Sequence, residues 1–323
     1  MSDAKLTQLR DLIQNDIGKR GLATDPLRNL INACPDDFAL ACKSLSEHPQ
    51  PSLAVVTGFI IPSATPPAGE TDGPLGALFL ARALVPIGIP VTLISDTFCE
   101  RALEVGLAEC DLQDDVPLVT LPTYAHANDM SDETYCEHVK NSAGGEPWTH
   151  LLAIERVGPS HTIDTILPEH RNRCHTMRGR DITEMMSPAE RLFAYASGSE
   201  RITTIGIGDG GNEIGMGKIS WDVIERNIPN GGLVACRVAA EHLIVCGVSN
   251  WGAYALAAGV ALLRGQSLAR ALFDPERERR ILDIMVRDGQ LVDGVLAKPS
   301  VTVDGLTWQQ YADVLVRVGN VRA

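Results

Sequence analysis

Short apolar runs alternate with helical segments through most of the chain. Six runs predict strands, at about 53–57, 91–95, 116–121, 151–154, 202–207 and 233–238. Helices are predicted between and after them, at about 74–88, 97–108, 131–143, 187–198, 214–226, 251–264, 274–288 and 307–318. This alternation is typical of a mostly parallel sheet with helices on its faces. We therefore expect a doubly wound α/β fold.

The first fifty residues follow a different pattern. Apolar side chains recur with a helical period at Leu6, Leu9, Leu12, Ile13 and Ile17, and a second helix is predicted at about 36–45. We expect an N-terminal helical cap over residues 1–49, followed by an α/β domain over residues 50–323.

The composition is typical of a globular protein and excludes several other classes of protein. The chain has 323 residues, 45% of them hydrophobic and 21% charged, as in ordinary globular proteins. Its formal net charge of -13 argues against nucleic-acid binding. The eight cysteines are scattered without a CxxC motif, and the first twenty residues carry no apolar leader. These features favour a reducing, cytoplasmic location.

One uncharged stretch, residues 243–263, approaches the length of a membrane span. The polar turn at residues 247–250 divides it, so we expect a short strand followed by a buried helix and no membrane association. That helix could face the sheet or a second subunit, which leaves a homo-oligomer open.

Polar residues follow the predicted strands at the edge where ligands of open α/β sheets bind. The segments are Glu70-Thr71-Asp72-Gly73-Pro74, Asp96, Glu155-Arg156, Gly208-Asp209-Gly210-Gly211-Asn212-Glu213 and Gly247-Val248-Ser249-Asn250. We expect a site there, with the irregular stretches 60–71 and 156–181 as candidate lids.

The segment GDGGNEIGMGK at 208–218 is the most informative of these motifs. It matches neither the phosphate-binding GxxxxGK[ST] motif nor GxGxxG. Its glycines allow close backbone approach, and N–H groups at the start of the next predicted helix could cradle an anion. A tight turn capped by Asp209 is the structural alternative. Similarly, Asp72 or Thr71 could simply cap a helix starting near Pro74, and Glu155-Arg156 could be a buried ion pair.

The sequence gives less support to serine hydrolase chemistry or to a histidine-ligated metal site. The chain has no GxSxG, HxH or HExxH motif. The clustered carboxylates favour acid/base or metal-assisted chemistry. A divalent metal, Mg²⁺ or Mn²⁺, stays open as a cofactor, with Asp72, Asp96, Asp209 and Glu213 as candidate ligands.

Taken together, five motifs resemble the D-glutamate cyclase-like C-terminal family: ETDGP at 70–74, ER at 155–156, MRG at 177–179, GDGGNEIGMGK at 208–218 and GVSNWGAYAL at 247–256. The resemblance implies a hydro-lyase that converts D-glutamate to 5-oxo-D-proline and water. Longer relatives join this region to a second, hydro-lyase-like domain. Val157 and Cys174-His175-Thr176 depart from the family pattern, which leaves substrate choice open.

Such a cyclisation needs a base, an acid and oxyanion stabilisation. We expect Asp209 and Glu213, with Glu155, to supply acid/base function, and Arg156 or Arg178 to bind a carboxylate of a small amino-acid substrate. The remaining substrate-binding candidates are Glu70, Thr71, Asp72, Gly73, the N–H groups of Gly210 and Gly211, Asn212 and Asn250. Two alternatives stand: a non-catalytic module that binds a small anionic metabolite or nucleotide, and a lyase or hydrolase acting on another small amino or dicarboxylic acid.

Overall fold

The core of the protein is a six-stranded parallel sheet. A computed structural model describes residues 2–145, 147–199 and 201–321. The strand order is β5-β4-β1-β6-β7-β8, and every pairing in this sheet is parallel. A small antiparallel hairpin, β2 and β3, follows the first strand. The strands are β1 Leu53–Thr57, β2 Ile60–Ile61, β3 Ala68–Gly69, β4 Val91–Ser95, β5 Leu118–Thr120, β6 His150–Ile154, β7 Thr203–Gly208 and β8 His242–Val245.

Helices cover both faces of this sheet. They are α1 Ser2–Ile13, α2 Leu30–Ala33, α3 Asp37–Glu47, α4 Pro74–Leu84, α5 Thr97–Glu109, α6 Tyr124–Asn128, α7 Asp132–Ser142, α8 Glu190–Ser197, α9 Trp221–Asn227, α10 Gly231–Val234, α11 Ser249–Leu263, α12 Pro275–Arg287 and α13 Trp308–Gly319.

The central strand β1 shows why both faces need covering. Leu53 and Val55 point into one core cluster, which includes residues of α4 and α11. Ala54 and Val56 point into another, which includes residues of α7 and α8. Successive side chains of a strand face opposite sides, so a fully apolar strand is stable only between two layers. The predicted doubly wound α/β fold is confirmed.

The N-terminal helices share the larger of these cores. Leu6, Leu9 and Phe38 belong to the same buried cluster as α11. After α1, the chain turns back towards the sheet, and the Asp16 carboxylate accepts hydrogen bonds from the N–H groups of Arg20, Gly21 and Leu22. This turn fixes the position from which the Arg20 side chain extends.

Two predicted elements are wrong. The apolar run at 233–238 is not the sixth strand: its first residues lie in the short helix α10, and the strand is β8, over the apolar residues 243–245 and His242. The run is apolar because it packs in a separate cluster beneath α9. The helix predicted from residue 214 begins only at Trp221, because Gly215 adopts a φ of 110° within a turn that extends to Ser220.

Helix α11 is buried within the chain, against α1, α3, α4 and α13. It has 15 residues. Within the described ranges, no helix combines the length and apolar character that crossing a membrane requires.

Candidate active site

A cavity of about 350 Å³ opens at the carboxyl edge of the sheet. Strands β1 and β6 are neighbours there. From β1 the sheet continues through β4 to one edge, and from β6 it continues through β7 to the other, so the strand order reverses between β1 and β6. Crevices of doubly wound sheets form at such switch points. The lining residues are Arg20, Phe59, Ile61, Pro62, Ser63, Glu70, Glu155, Thr176, Met177, Arg178, Arg180, Asn212, Pro229, Gly294, Val295 and Asp304.

Below the cavity, the N-termini of α4 and α11 cap one another. The Asp72 carboxylate, just before α4, accepts hydrogen bonds from the Ser249 and Asn250 N–H groups at 2.8 Å each. In return, the Asn250 side-chain oxygen accepts from the Gly73 N–H at 2.9 Å and the Gly76 N–H at 2.7 Å. Each polar side chain therefore satisfies orphan donors of the other helix.

Close packing at this crossing requires glycine at two positions. Gly73 has a φ of 91°, and a Cβ there would lie 2.8 Å from the Cβ of Glu155. A Cβ on Gly76 would lie 2.7 Å from the Asn250 side-chain oxygen. The ETDGP motif thus serves the reciprocal caps, and Asp72 caps α11 instead of its own helix.

The glycine-rich turn after β7 folds around the Glu213 carboxylate. One Glu213 oxygen accepts from the N–H groups of Asp209 at 2.8 Å and Gly210 at 2.6 Å, and the other accepts from the Gly211 N–H at 2.7 Å. Amides that could cradle an external anion are therefore occupied by a side chain of the same turn.

Arg20 spans two buried aspartates of the cluster. Its guanidinium donates to Asp209 Oδ1 at 2.7 Å and also pairs with Asp304 Oδ1. The Asp209 side chain has no exposed surface, whereas Arg20 keeps 19% of its own. Arg20 also lines the cavity, so one cation joins the turn after β7 to the loop before α13.

Burial disfavours the ionised form of the carboxyl groups in and beneath the cavity. Desolvation raises the pKa of Glu70, Glu155 and Asp209 well above their usual range, and neighbouring carboxylates add to the effect. Desolvation also raises the pKa of Asp72 to about 8. A raised pKa favours the protonated form of a carboxyl group, which can donate its proton and take it back.

The acids form two groups whose oxygens are close enough to share a cation. Asp72, Asp209 and Asp304 each offer one oxygen within 4.8 Å of the others, and so do Glu155, Asp209 and Glu213. The second group contains all three residues expected to act as acid or base. The donors are hard oxygen ligands, the type that Mg²⁺ and Mn²⁺ bind.

Comparison with known proteins assigns the chain to a family. The model of the D-glutamate cyclase-like, C-terminal family matches residues 9–318. The chain belongs to this family. It is also 29% identical over 344 aligned residues to human D-glutamate cyclase, mitochondrial, an alignment that covers 98% of this chain. The chain spans about half the length of this curated relative, 52%.

In this D-glutamate cyclase-like chain, only some of the predicted acid/base and substrate-binding residues reach the cavity. Glu70, Glu155, Arg178 and Asn212 line it. Asp72 and Asn250 lie beneath it as caps, beside Thr71, whose hydroxyl donates to the Thr302 carbonyl. Gly73, Asp209, Gly210, Gly211 and Glu213 form the turns that support its floor.

The predicted ligand Asp96 and the predicted substrate-binding residue Arg156 lie apart from the cavity lining. Arg156 has no exposed surface and pairs with Asp96, and it donates to the carbonyls of Gly58 at 3.1 Å and Ser187 at 2.6 Å. The Ser187 N–H donates to Asp96 in turn. This buried ion pair fastens the loops after β1, β4 and β6 to the segment before α8, and its acid is Asp96, not the neighbouring Glu155.

The candidate lids contribute to the cavity walls. Ile61, Pro62 and Ser63 come from the first, and Thr176, Met177, Arg178 and Arg180 from the second. Sequence reasoning missed Arg20 and Asp304, because neither follows a predicted strand. The Asp304-Gly305 pair is an ordinary turn signal, and nothing local to Arg20 indicates its distant partners.

Proposed function

We propose that the chain converts D-glutamate to 5-oxo-D-proline and water. The observation that carries this proposal is the pair of acids, Glu70 and Glu155, lining a cavity in which burial raises the pKa of both carboxyls. Membership of the D-glutamate cyclase-like family and the human relative's name, D-glutamate cyclase, support a cyclisation of D-glutamate.

The reaction moves protons within one molecule. The substrate ammonium loses two protons, its nitrogen forms a bond to the side-chain carboxyl carbon, and one carboxyl oxygen leaves with those protons as water. A carboxyl whose pKa is raised by burial can accept a proton from nitrogen and return it to the leaving oxygen. We assign this exchange to Glu155, with Glu70 as a second acid.

Cationic side chains at the cavity would hold the substrate. Arg178 and Arg180 are exposed residues of the second lid that line the cavity, and Arg20 lines it from the N-terminal segment. Guanidinium groups bind carboxylates with two parallel hydrogen bonds, so they suit an amino dicarboxylate. Asn212 adds a directional polar contact.

We propose that the ligand is a small amino acid and that the chain is located in the cytoplasm. The name of the human relative assigns that protein to the mitochondrion.

The test is to incubate the purified chain with D-glutamate, L-glutamate and each 5-oxoproline enantiomer and to follow them by chiral chromatography. We expect D-glutamate to be converted to 5-oxo-D-proline faster than L-glutamate to its product. A thermal shift with D-glutamate but no conversion would contradict the proposal and favour a binding module. Conversion of a different amino or dicarboxylic acid alone would replace the substrate.

A further inference from the structure

Three aspartates from distant parts of the sequence converge at the floor of the cavity. Asp72 precedes α4, Asp209 follows β7 and Asp304 precedes α13. One oxygen of each lies within 4.8 Å of the others, and all three residues are buried. Asp304 also lines the cavity, so the group borders the space available to a substrate.

Two oxygens of this group are buried without a hydrogen-bond partner. Asp209 Oδ2 and Asp304 Oδ2 accept no hydrogen bond from the part of the chain that the structure describes. Their side chains are 0% and 3% exposed, and Arg20 occupies only the Oδ1 atoms. A buried charged oxygen without a hydrogen-bond partner lowers the stability of the fold, so we expect a proton or a cation to be bound at these atoms.

The second acidic group is less free to bind a cation. Both oxygens of Glu213 accept backbone N–H groups. Glu155 Oε2 accepts the Ser249 hydroxyl at 2.5 Å. In the first group, Asp72 Oδ2 accepts only the Ser249 N–H and keeps a lone pair, which adds to the two unpartnered oxygens.

The charges of the first group also suit a divalent ion. When ionised, Asp72, Asp209 and Asp304 carry three negative charges, and the Arg20 guanidinium neutralises one of them. The two charges that remain equal those of one Mg²⁺ or Mn²⁺ ion. Arg20 holds the two Oδ1 atoms and thereby orients the two Oδ2 atoms, as hydrogen-bonded partners of metal ligands do.

We propose that Asp72, Asp209 and Asp304 bind one divalent cation of the Mg²⁺ or Mn²⁺ type, through Asp209 Oδ2, Asp304 Oδ2 and one oxygen of Asp72. Because Asp304 lines the cavity, the ion would lie at its border and would take water and a substrate carboxylate as further ligands. The inference deepens the proposed function and rests on it for the substrate, although the cation site stands on its own geometry.

The experiment titrates Mn²⁺ into the full chain after removal of metals by a chelator, using calorimetry and the loss of the free-ion electron paramagnetic resonance signal. We expect one saturable site per chain. Asp304→Asn should weaken it about 100-fold or more, since it removes a direct ligand. Asparagine suits this position because Asp304 has a φ of 55°. Asp209→Asn is the second variant. Glu155→Gln, which alters a residue of the other acidic group, should weaken binding far less than either aspartate variant.

Absence of saturable binding to the wild-type chain would overturn the inference and favour a shared proton between Asp209 and Asp304. Binding that survives both aspartate variants, or that Glu155→Gln alone removes, would also overturn it. D-glutamate turnover, measured on the same samples, separates the two proposals. Conversion without Mn²⁺ binding refutes the cation site only, whereas binding without conversion refutes the proposed reaction only.

Discussion

Replacing Asn250 by alanine tests the reciprocal caps beneath the cavity. The substitution removes the acceptor of the Gly73 and Gly76 N–H groups, which lie 2.9 and 2.7 Å from it. The Gly73 N–H keeps the Asp72 carboxylate as an acceptor at 3.1 Å, so the Gly76 N–H is the donor left unsatisfied. A buried unsatisfied donor costs about 1–3 kcal/mol, and the free energy of unfolding should fall by that amount. The Asn250 N–H still donates to Asp72, so the loss isolates one half of the pair.

Urea denaturation of the wild type and of Asn250→Ala measures this loss directly. Thr307→Ala is the matched control, because the Thr307 side chain caps the N-terminus of α13 at an exposed position. That control should lose about 1 kcal/mol. If Asn250→Ala cost no more than Thr307→Ala, the buried caps would not hold α4 and α11 together, and the reasoning would be refuted.

Three further substitutions probe buried polar groups, each by urea denaturation. Glu213→Gln should lower the free energy of unfolding by about 1–3 kcal/mol, because an amide nitrogen cannot accept the N–H bonds that the carboxylate now takes. An unchanged stability would contradict this. Arg156→Lys, which breaks the buried contacts with Asp96 and Ser187, should cost about 3–5 kcal/mol. A loss typical of an exposed ion pair, under about 1 kcal/mol, would argue against that role. Burial lowers the pKa of His150 to about 4, so the unfolded chain binds the proton first as the pH falls. This histidine should contribute a loss of about 2 kcal/mol in the free energy of unfolding between pH 7.5 and 5. His150→Gln should remove this part of the pH dependence, and an identical pH profile in that variant would refute the assignment.

The fold class could be predicted because the buried strands are short, mostly apolar runs separated by segments with a helical period. The sixth strand could not, since the mostly apolar run at 233–238 is longer than the three apolar residues at 243–245 and resembles a strand at least as well. Packing decided between them: β8 pairs with β7, whereas the first run fills the cluster beneath α9. Such choices depend on contacts that local sequence does not contain.

The candidate site could be predicted in outline for a similar reason. The carboxyl ends of parallel strands meet at one edge, so Glu155 and the turn at Asp209 had to lie close together. Arg20 and Asp304 reach the cluster from loops distant in sequence, and only the folded chain shows their pairing. The prediction that the N–H groups of Gly210 and Gly211 bind substrate did not anticipate that Glu213 would accept both of them.

The most direct test of the central claim is the turnover of D-glutamate by Glu155→Gln. Glutamine keeps the size of the side chain and can still accept the Ser249 hydroxyl. Loss of a general acid/base group should lower kcat/KM by about 100-fold or more. Glu169→Gln, at an exposed position outside the cavity lining, is the control and should retain wild-type turnover. Wild-type kcat/KM in a folded Glu155→Gln variant would contradict the claim that this cavity performs the cyclisation.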